Sequence, residues 1–99
     1  MLVPGIDILA KANIDNYAIG AFNTSNLEST QAIIESAEEL SSPVIIQVSE
    51  GGFNYAGGKS IAAIVKTMAA DASVPIALHL DHGKEFSILM KAVRYGFTS

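Results

Sequence analysis

The chain of 99 residues contains no cysteine, so it forms neither a disulfide nor a thiolate metal site. Any transition metal it holds must sit on imidazole and carboxylate groups. Imidazole is itself scarce, since His79 and His82 are the only histidines. Basic residues are few as well. Six lysines and arginines against ten aspartates and glutamates give a formal net charge of −4, and no run or stripe of them could neutralise a phosphate backbone. Nucleic acid is not an expected partner. The longest apolar stretches, such as Val44 to Ile46 and Pro75 to Leu78, are strand-sized, far below the roughly 18 residues of a membrane span. No membrane partner is expected either. The N-terminus lacks a basic region followed by an apolar core and a small-residue cleavage site, which makes the cytoplasm the expected location.

What is present is an apolar, orderable chain: 49% hydrophobic and 16% charged residues lie far from the composition of disordered proteins. Asp7 to Ala12 predicts a short helix with Ile8, Leu9 and Ala12 on one side, running into polar Asn13 to Asn16. Tyr17 to Phe22 has no polar face, the pattern of a strand buried on both sides, and it stops at Asn23 to Asn26. Asn26 is a candidate N-cap for an amphipathic helix, Leu27 to Leu40, with Leu27, Ile33, Ile34, Ala37 and Leu40 inward and its glutamates solvated.

Val44 to Val48 predicts a second strand, followed by a loop from Ser49 to Phe53 and a flexible Gly57-Gly58 pair. Ser60 is a candidate cap for a helix carrying Ile61, Ile64, Val65 and Met68. Pro75 to Leu80 is the third strand and delivers Asp81, His82 and Gly83 at its carboxyl end. A last helix buries Phe86, Leu89, Met90 and Val93, with Arg94 in its final turn and Gly96 as its C′ residue. Phe97 to Ser99 then begins a fourth strand.

Alternating strands and helices imply right-handed βαβ units and a parallel sheet. A doubly wound sheet would announce itself with a glycine-rich phosphate turn after the first strand, and Ala21, Phe22, Asn23 is not one. A (β/α)8 barrel gathers polar residues at the carboxyl ends of successive strands, and here those ends carry Asn23, Ser49 and Asp81-His82. The barrel is the expected fold. Such barrels typically run to about 250 residues. Residues 1–99 are therefore expected to be the N-terminal part of a single barrel domain, its first three to four βα units.

HLDHG, His79 to Gly83, is the strongest local signal. Strand alternation puts His79 and Asp81 on one face. Neighbouring imidazole and carboxylate groups suit metal ligation and proton transfer, although a lone strand histidine such as His79 is more often structural. Asn23 and Ser49 could equally cap turns, but on a barrel they converge with Asp81 and His82 on one mouth. The Gly51-Gly52 and Gly57-Gly58 pairs fit either a phosphate approached by backbone amides or turns that need positive φ.

Taken together, GAFN (Gly20 to Asn23), SPVIIQVSEGG (Ser42 to Gly52), PIALHLDHG (Pro75 to Gly83) and the AVRYGFTS ending resemble the N-terminal part of class II, zinc-dependent fructose-bisphosphate aldolases. The related tagatose-bisphosphate aldolases share these patterns. The resemblance spans the chain from MLVPGIDILAKA onward and covers only the first part of the family's length. It implies a (β/α)8 barrel, assembled as a homo-oligomer, that reversibly cleaves a ketose 1,6-bisphosphate into dihydroxyacetone phosphate and glyceraldehyde 3-phosphate. By the same resemblance, Asp81 is the acid that exchanges a proton on the aldehyde side, and His82 is the first ligand of the catalytic zinc. Ser49 contacts the phosphate of the glyceraldehyde 3-phosphate half, and Asn23 positions substrate near Asp81.

A catalytic zinc takes about three protein ligands. The other ligands, a loop glutamate, a monovalent-cation site and the second phosphate site are implied outside these residues, so the isolated chain is expected to be inactive. Three alternatives stand beside this reading: a tagatose 1,6-bisphosphate aldolase, a non-catalytic half-barrel module that pairs with another chain, and a phosphate-binding barrel of another chemistry in which Asp81 and His82 do not share a substrate.

Overall fold

Val44, Ile45, Ile46 and Val48 are β-branched and favour extended backbone. In the computed structural model, which describes every residue from Met1 to Ser99, they form β2 (Val44–Ser49), the centre of a three-stranded parallel sheet. β1 (Gly20–Asn23) pairs on one side and β3 (Ile76–Asp81) on the other. The helices are α1 (Gly5–Asp15), α2 (Leu27–Glu39), α3 (Glu50–Ala56), α4 (Gly58–Asp71) and α5 (Phe86–Tyr95). Each strand feeds a helix and each next strand lies parallel, as in the opening βα units of a (β/α)8 barrel.

Register divides the sheet into two faces. Val44 aligns with Ile76 and Ile46 with Leu78, and these residues, with Val48, pack against Ile34, Ile61, Val65 and Ala69 of α2 and α4. The opposite face carries Ile45, Gln47 and Ser49 of β2 beside Ala77, His79 and Asp81 of β3. α1 closes the lower end of that face, where Gly5 lies against Ser99 and near fully buried Ala77. The outer edge of β3 is occupied at both ends. Met1 O accepts from Ile76 N at 2.8 Å and Val3 N donates to Ile76 O at 2.8 Å. Further along, Thr98 N donates to Leu78 O at 2.8 Å and Ser99 O accepts from Leu80 N at 3.0 Å. Thr98 and Ser99, in the segment expected to begin a fourth strand, thus hydrogen-bond along the outer edge of β3.

Several local expectations need correction. α1 runs from Gly5 to Asp15 rather than Asp7 to Ala12, because Asn13 to Asp15 continue it until Asn16 turns left-handed at φ 58. On its outer side Lys11 donates to Asp15 Oδ2 at 2.9 Å, a bond that raises the lysine pKa above its usual value. β1 spans Gly20–Asn23, not Tyr17 to Phe22, and it is exposed rather than buried on two sides. It is an edge strand whose Phe22 ring, 54% exposed, folds back over Gly20, where a Cβ would come within 2.6 Å of it. Between β1 and α2 an apolar groove lined by Tyr17, Phe22, Ile33, Ala37, Leu40 and Val44 stays open.

Asn26 caps α2 as expected, its Oδ1 accepting from Ser29 N at 2.8 Å. Leu27 and Leu40 of the predicted apolar face are exposed, and Thr30 is fully buried instead. Glu38 is half-buried and engaged rather than simply solvated: its Oε1 accepts from Ser73 N and Oγ at 2.8 and 3.1 Å, tying α2 to the turn before β3.

The segment expected as a loop after Ser49 is the helix α3, anchored by buried Phe53, whose ring stacks on Tyr95 at 5.9 Å and meets Phe97 at 5.8 Å. α4 starts at Gly58, so Ser60 is inside it and is no cap. Gly57 supplies a positive φ of 80, and a Cβ on Gly58 would lie 2.1 Å from the Phe53 ring. These two glycines answer a turn and a close approach.

α5 buries Ile88 and Ala92, while Phe86 (74% exposed), Leu89, Met90 and Val93 (67%) face outward, opposite to expectation. The narrow Ile88/Ala92 stripe meets the core and α5 packs on α4; nothing in residues 1–99 covers the wider apolar face. Its end is as expected, with Arg94 in the last turn and Gly96 left-handed at φ 89.

Candidate functional site

The polar face of the sheet holds the candidate residues in two rows. Asn23, Gln47 and His79 align across β1, β2 and β3, and Ser49 aligns with Asp81 one step further towards the carboxyl ends. A parallel register points aligned side chains the same way. Gln47 was not among the candidates, although a polar residue inside the apolar run VIIQV is a signal that could have singled it out.

Asn23 ends β1, and the turn behind it is fixed by hydroxyl groups. Thr24 N donates to Gln47 O at 2.9 Å, and Thr24 Oγ1 lies 2.6 Å from Ser29 Oγ and 2.8 Å from Thr30 Oγ1. Ser49 ends β2 and caps α3, its Oγ accepting from Gly52 N at 3.1 Å. Asn23 and Ser49 share an open polar recess of about 530 Å³ with Thr24, Asn26, Gly52 and Tyr55. Gly51 and Gly52 line it too, at the start of a helix rather than in a loop.

Asp81 closes β3 and sits between the two histidines. Its Oδ1 is 3.8 Å from His79 Nε2 and its Oδ2 is 3.6 Å from His82 Nε2. His79 and Asp81 share a face, as strand alternation predicts. His79 is half-buried rather than a core residue, and its Nδ1 lies 3.1 Å from Ser99 Oγ. His82 follows at φ 56, in the left-handed region, which swings its side chain off the strand and leaves it 80% exposed. Ser49 and Asp81 are register neighbours, whereas Asn23 lies two strands from β3, a separation of about 10 Å at ordinary strand spacing. The structure thus brings Ser49, Asp81 and His82 to one rim and sets Asn23 at its far side.

No three His, Asp or Glu side chains within the chain converge to hold a metal by themselves. A freely projecting imidazole with a carboxylate beside it nevertheless fits one donor of a borderline-soft divalent ion such as zinc. Sequence reading also missed Glu50, whose Oε2 accepts from Lys84 N at 3.0 Å and links the turns after β2 and β3.

Comparison with known proteins agrees with this architecture. The family model described as fructose-bisphosphate aldolase class-II matches residues 3–99. The fructose-bisphosphate aldolase of Thermus caldophilus is 52% identical over 99 residues, covering the whole of this chain and 32% of the relative. The probable fructose-bisphosphate aldolase of Bacillus subtilis is 48% identical over 101 residues, covering 99% of this chain and 35% of the relative. Among solved structures, the YdjI aldolase of Escherichia coli K12 superposes with a TM-score of 0.91 at 33% identity, over 98% of this chain and 38% of that one. The fructose-bisphosphate aldolase of Campylobacter jejuni gives 0.77 at 30% identity, over 95% and 31%. The chain spans about a third of the length of the curated relatives it matches. Over that span, with its parallel βα units and its polar strand ends, it belongs to the class II fructose-bisphosphate aldolase family.

Proposed function

We propose that the full-length protein is a zinc-dependent aldolase that reversibly cleaves fructose 1,6-bisphosphate into dihydroxyacetone phosphate and glyceraldehyde 3-phosphate. The observation that carries this reading is the alignment of Ser49 with Asp81, followed by outward-facing His82, on one rim of a sheet of this family. Residues 1–99 supply the first part of a single (β/α)8 domain. His82 holds the zinc together with ligands from the remaining polypeptide. When bound, the metal supplies Lewis-acid stabilisation of the negative charge that develops as the carbon–carbon bond breaks.

The residues of this chain divide the remaining tasks. Asp81 takes the proton from the hydroxyl that becomes the aldehyde oxygen and returns it in the condensation direction. Its carboxylate, bracketed by His79 and His82, is held at the rim where that oxygen arrives. Ser49 Oγ already accepts from Gly52 N, which leaves its own hydrogen free to donate to the phosphate of the glyceraldehyde 3-phosphate half. Asn23, across the polar recess, positions the substrate. The monovalent-cation site and the second phosphate site belong to the rest of the barrel, and the working form is a cytoplasmic homo-oligomer. The 99-residue chain alone has no turnover.

An assay of the purified full-length protein tests this. Cleavage of fructose 1,6-bisphosphate that a chelator abolishes and zinc restores is expected. Chelator-resistant cleavage refutes the metal role, and cleavage of the tagatose epimer alone moves the substrate assignment. Turnover by the pure 99-residue chain contradicts the division of the site.

A further inference from the structure

The turn from β3 into α5 has no cap of its own: Glu85 occupies the N-cap position without a side-chain hydrogen bond. His82 nevertheless adopts φ 56, which a residue with a side chain keeps only where its surroundings hold it. Two contacts do so. On one side Gly83 lies against Leu80 and Leu89, so tightly that a Cβ there would come within 2.9 and 3.0 Å of them. On the other, the Lys84 backbone N–H donates to Glu50 Oε2 at 3.0 Å, across 34 residues of sequence. Glu50 is the first residue of α3, directly after Ser49, whose Oγ caps the same helix. One carboxylate therefore joins the turn that carries Ser49 to the turn that carries His82.

We propose that Glu50 is a positioning residue: through the Lys84 amide it holds the left-handed turn at His82 and so aims the imidazole for metal binding. The inference rests on His82 being a zinc ligand. A backbone amide bonded to a carboxylate is a charge-assisted contact, stronger than the neutral bonds that hold ordinary turns. Such partners of a ligand, which touch neither metal nor substrate, set its orientation and thereby the affinity of the site.

The test compares Glu50→Ala and Glu50→Gln in the full-length protein by amide hydrogen exchange at Lys84, zinc retention against a chelator, and steady-state kinetics. Glu50→Ala is expected to speed exchange at Lys84, to weaken zinc binding roughly 10- to 100-fold, and to lower kcat with KM little changed. Glu50→Gln keeps an acceptor oxygen and is expected to restore most of all three. Unchanged Lys84 exchange and zinc retention in Glu50→Ala overturn the proposal, as does a glutamine variant no better than the alanine one. If the wild-type protein binds zinc without cleaving the bisphosphate, the functional reading fails, while exchange and zinc retention still decide the role of Glu50.

Discussion

On β2 and β3 alternate residues face opposite ways and meet opposite surroundings. Val44, Ile46, Val48, Ile76 and Leu78 are sealed under the helices at 3% exposure or less, whereas Gln47, Ser49, His79 and Asp81 are half-buried and include every polar side chain of the two strands. A single strand thus feeds a dry core with one set of residues and a polar rim with the next. Substitutions one position apart should then separate stability from chemistry, and that separation can be attacked directly.

The largest expected effect lies on the polar face. Asp81→Asn keeps the shape of the side chain and removes its ability to take a proton, so on the role proposed for Asp81 turnover of the full-length protein should fall about 10²- to 10⁴-fold. The urea unfolding midpoint should stay unchanged, since the carboxylate contributes nothing to the core. A variant as unstable as a core substitution would break the comparison. Ile76→Ala addresses the other face. Ile76 is fully buried, and truncating it should cost about 2–5 kcal/mol, read from the same urea transition. On the proposed function, the folded fraction of the full-length variant should bind zinc and turn over as the wild type does. A loss of zinc at constant stability would show that the two faces are coupled through the strand.

Gly58→Ala is a smaller probe of the sealed side. The added methyl would meet the Phe53 ring at 2.1 Å, and moving the ring disturbs its stack with Tyr95, so about 1–3 kcal/mol should be lost. A neutral result would mean that the ring moves aside freely, and the packing between α3 and α4 would then be looser than the rest of the core.

The core strands were legible because VIIQV is a short β-branched run and PIALHL a short apolar run opened by a proline, both of strand length. The rim was legible for the same reason, as Ser49 and Asp81-His82 terminate those runs. β1 and α5 were misread where burial depends on neighbours far along the chain: a run such as Tyr17 to Phe22 has the same pattern whether or not its edge is covered. α3 was hidden because Gly51 and Gly52 carry little helical propensity, and the helix is held by the Ser49 cap and by Phe53 under the α4 and α5 side chains. The Glu50 to Lys84 bond was invisible for a related reason, since only the register of β2 on β3 brings the two turns together. Gln47 was overlooked although its signal was present.

The smallest expected effect tests a polar residue that stands beside the rim yet belongs to the scaffold. Asn26 Oδ1 accepts from Ser29 N at 2.8 Å, completing the first turn of α2, and its backbone carbonyl also accepts from Thr30. Losing the side-chain bond in Asn26→Ala should cost about 1 kcal/mol, while Asn26→Ser, which can cap, should recover most of it. Asn23, three residues earlier, ends β1 and is held by pairing to β2 rather than by this cap. The alanine variant should therefore shift the unfolding midpoint and leave KM for the bisphosphate in place. A raised KM at full stability would make Asn26 part of the substrate recess it lines, and the boundary between scaffold and site would move from the strand ends into the first turn of α2.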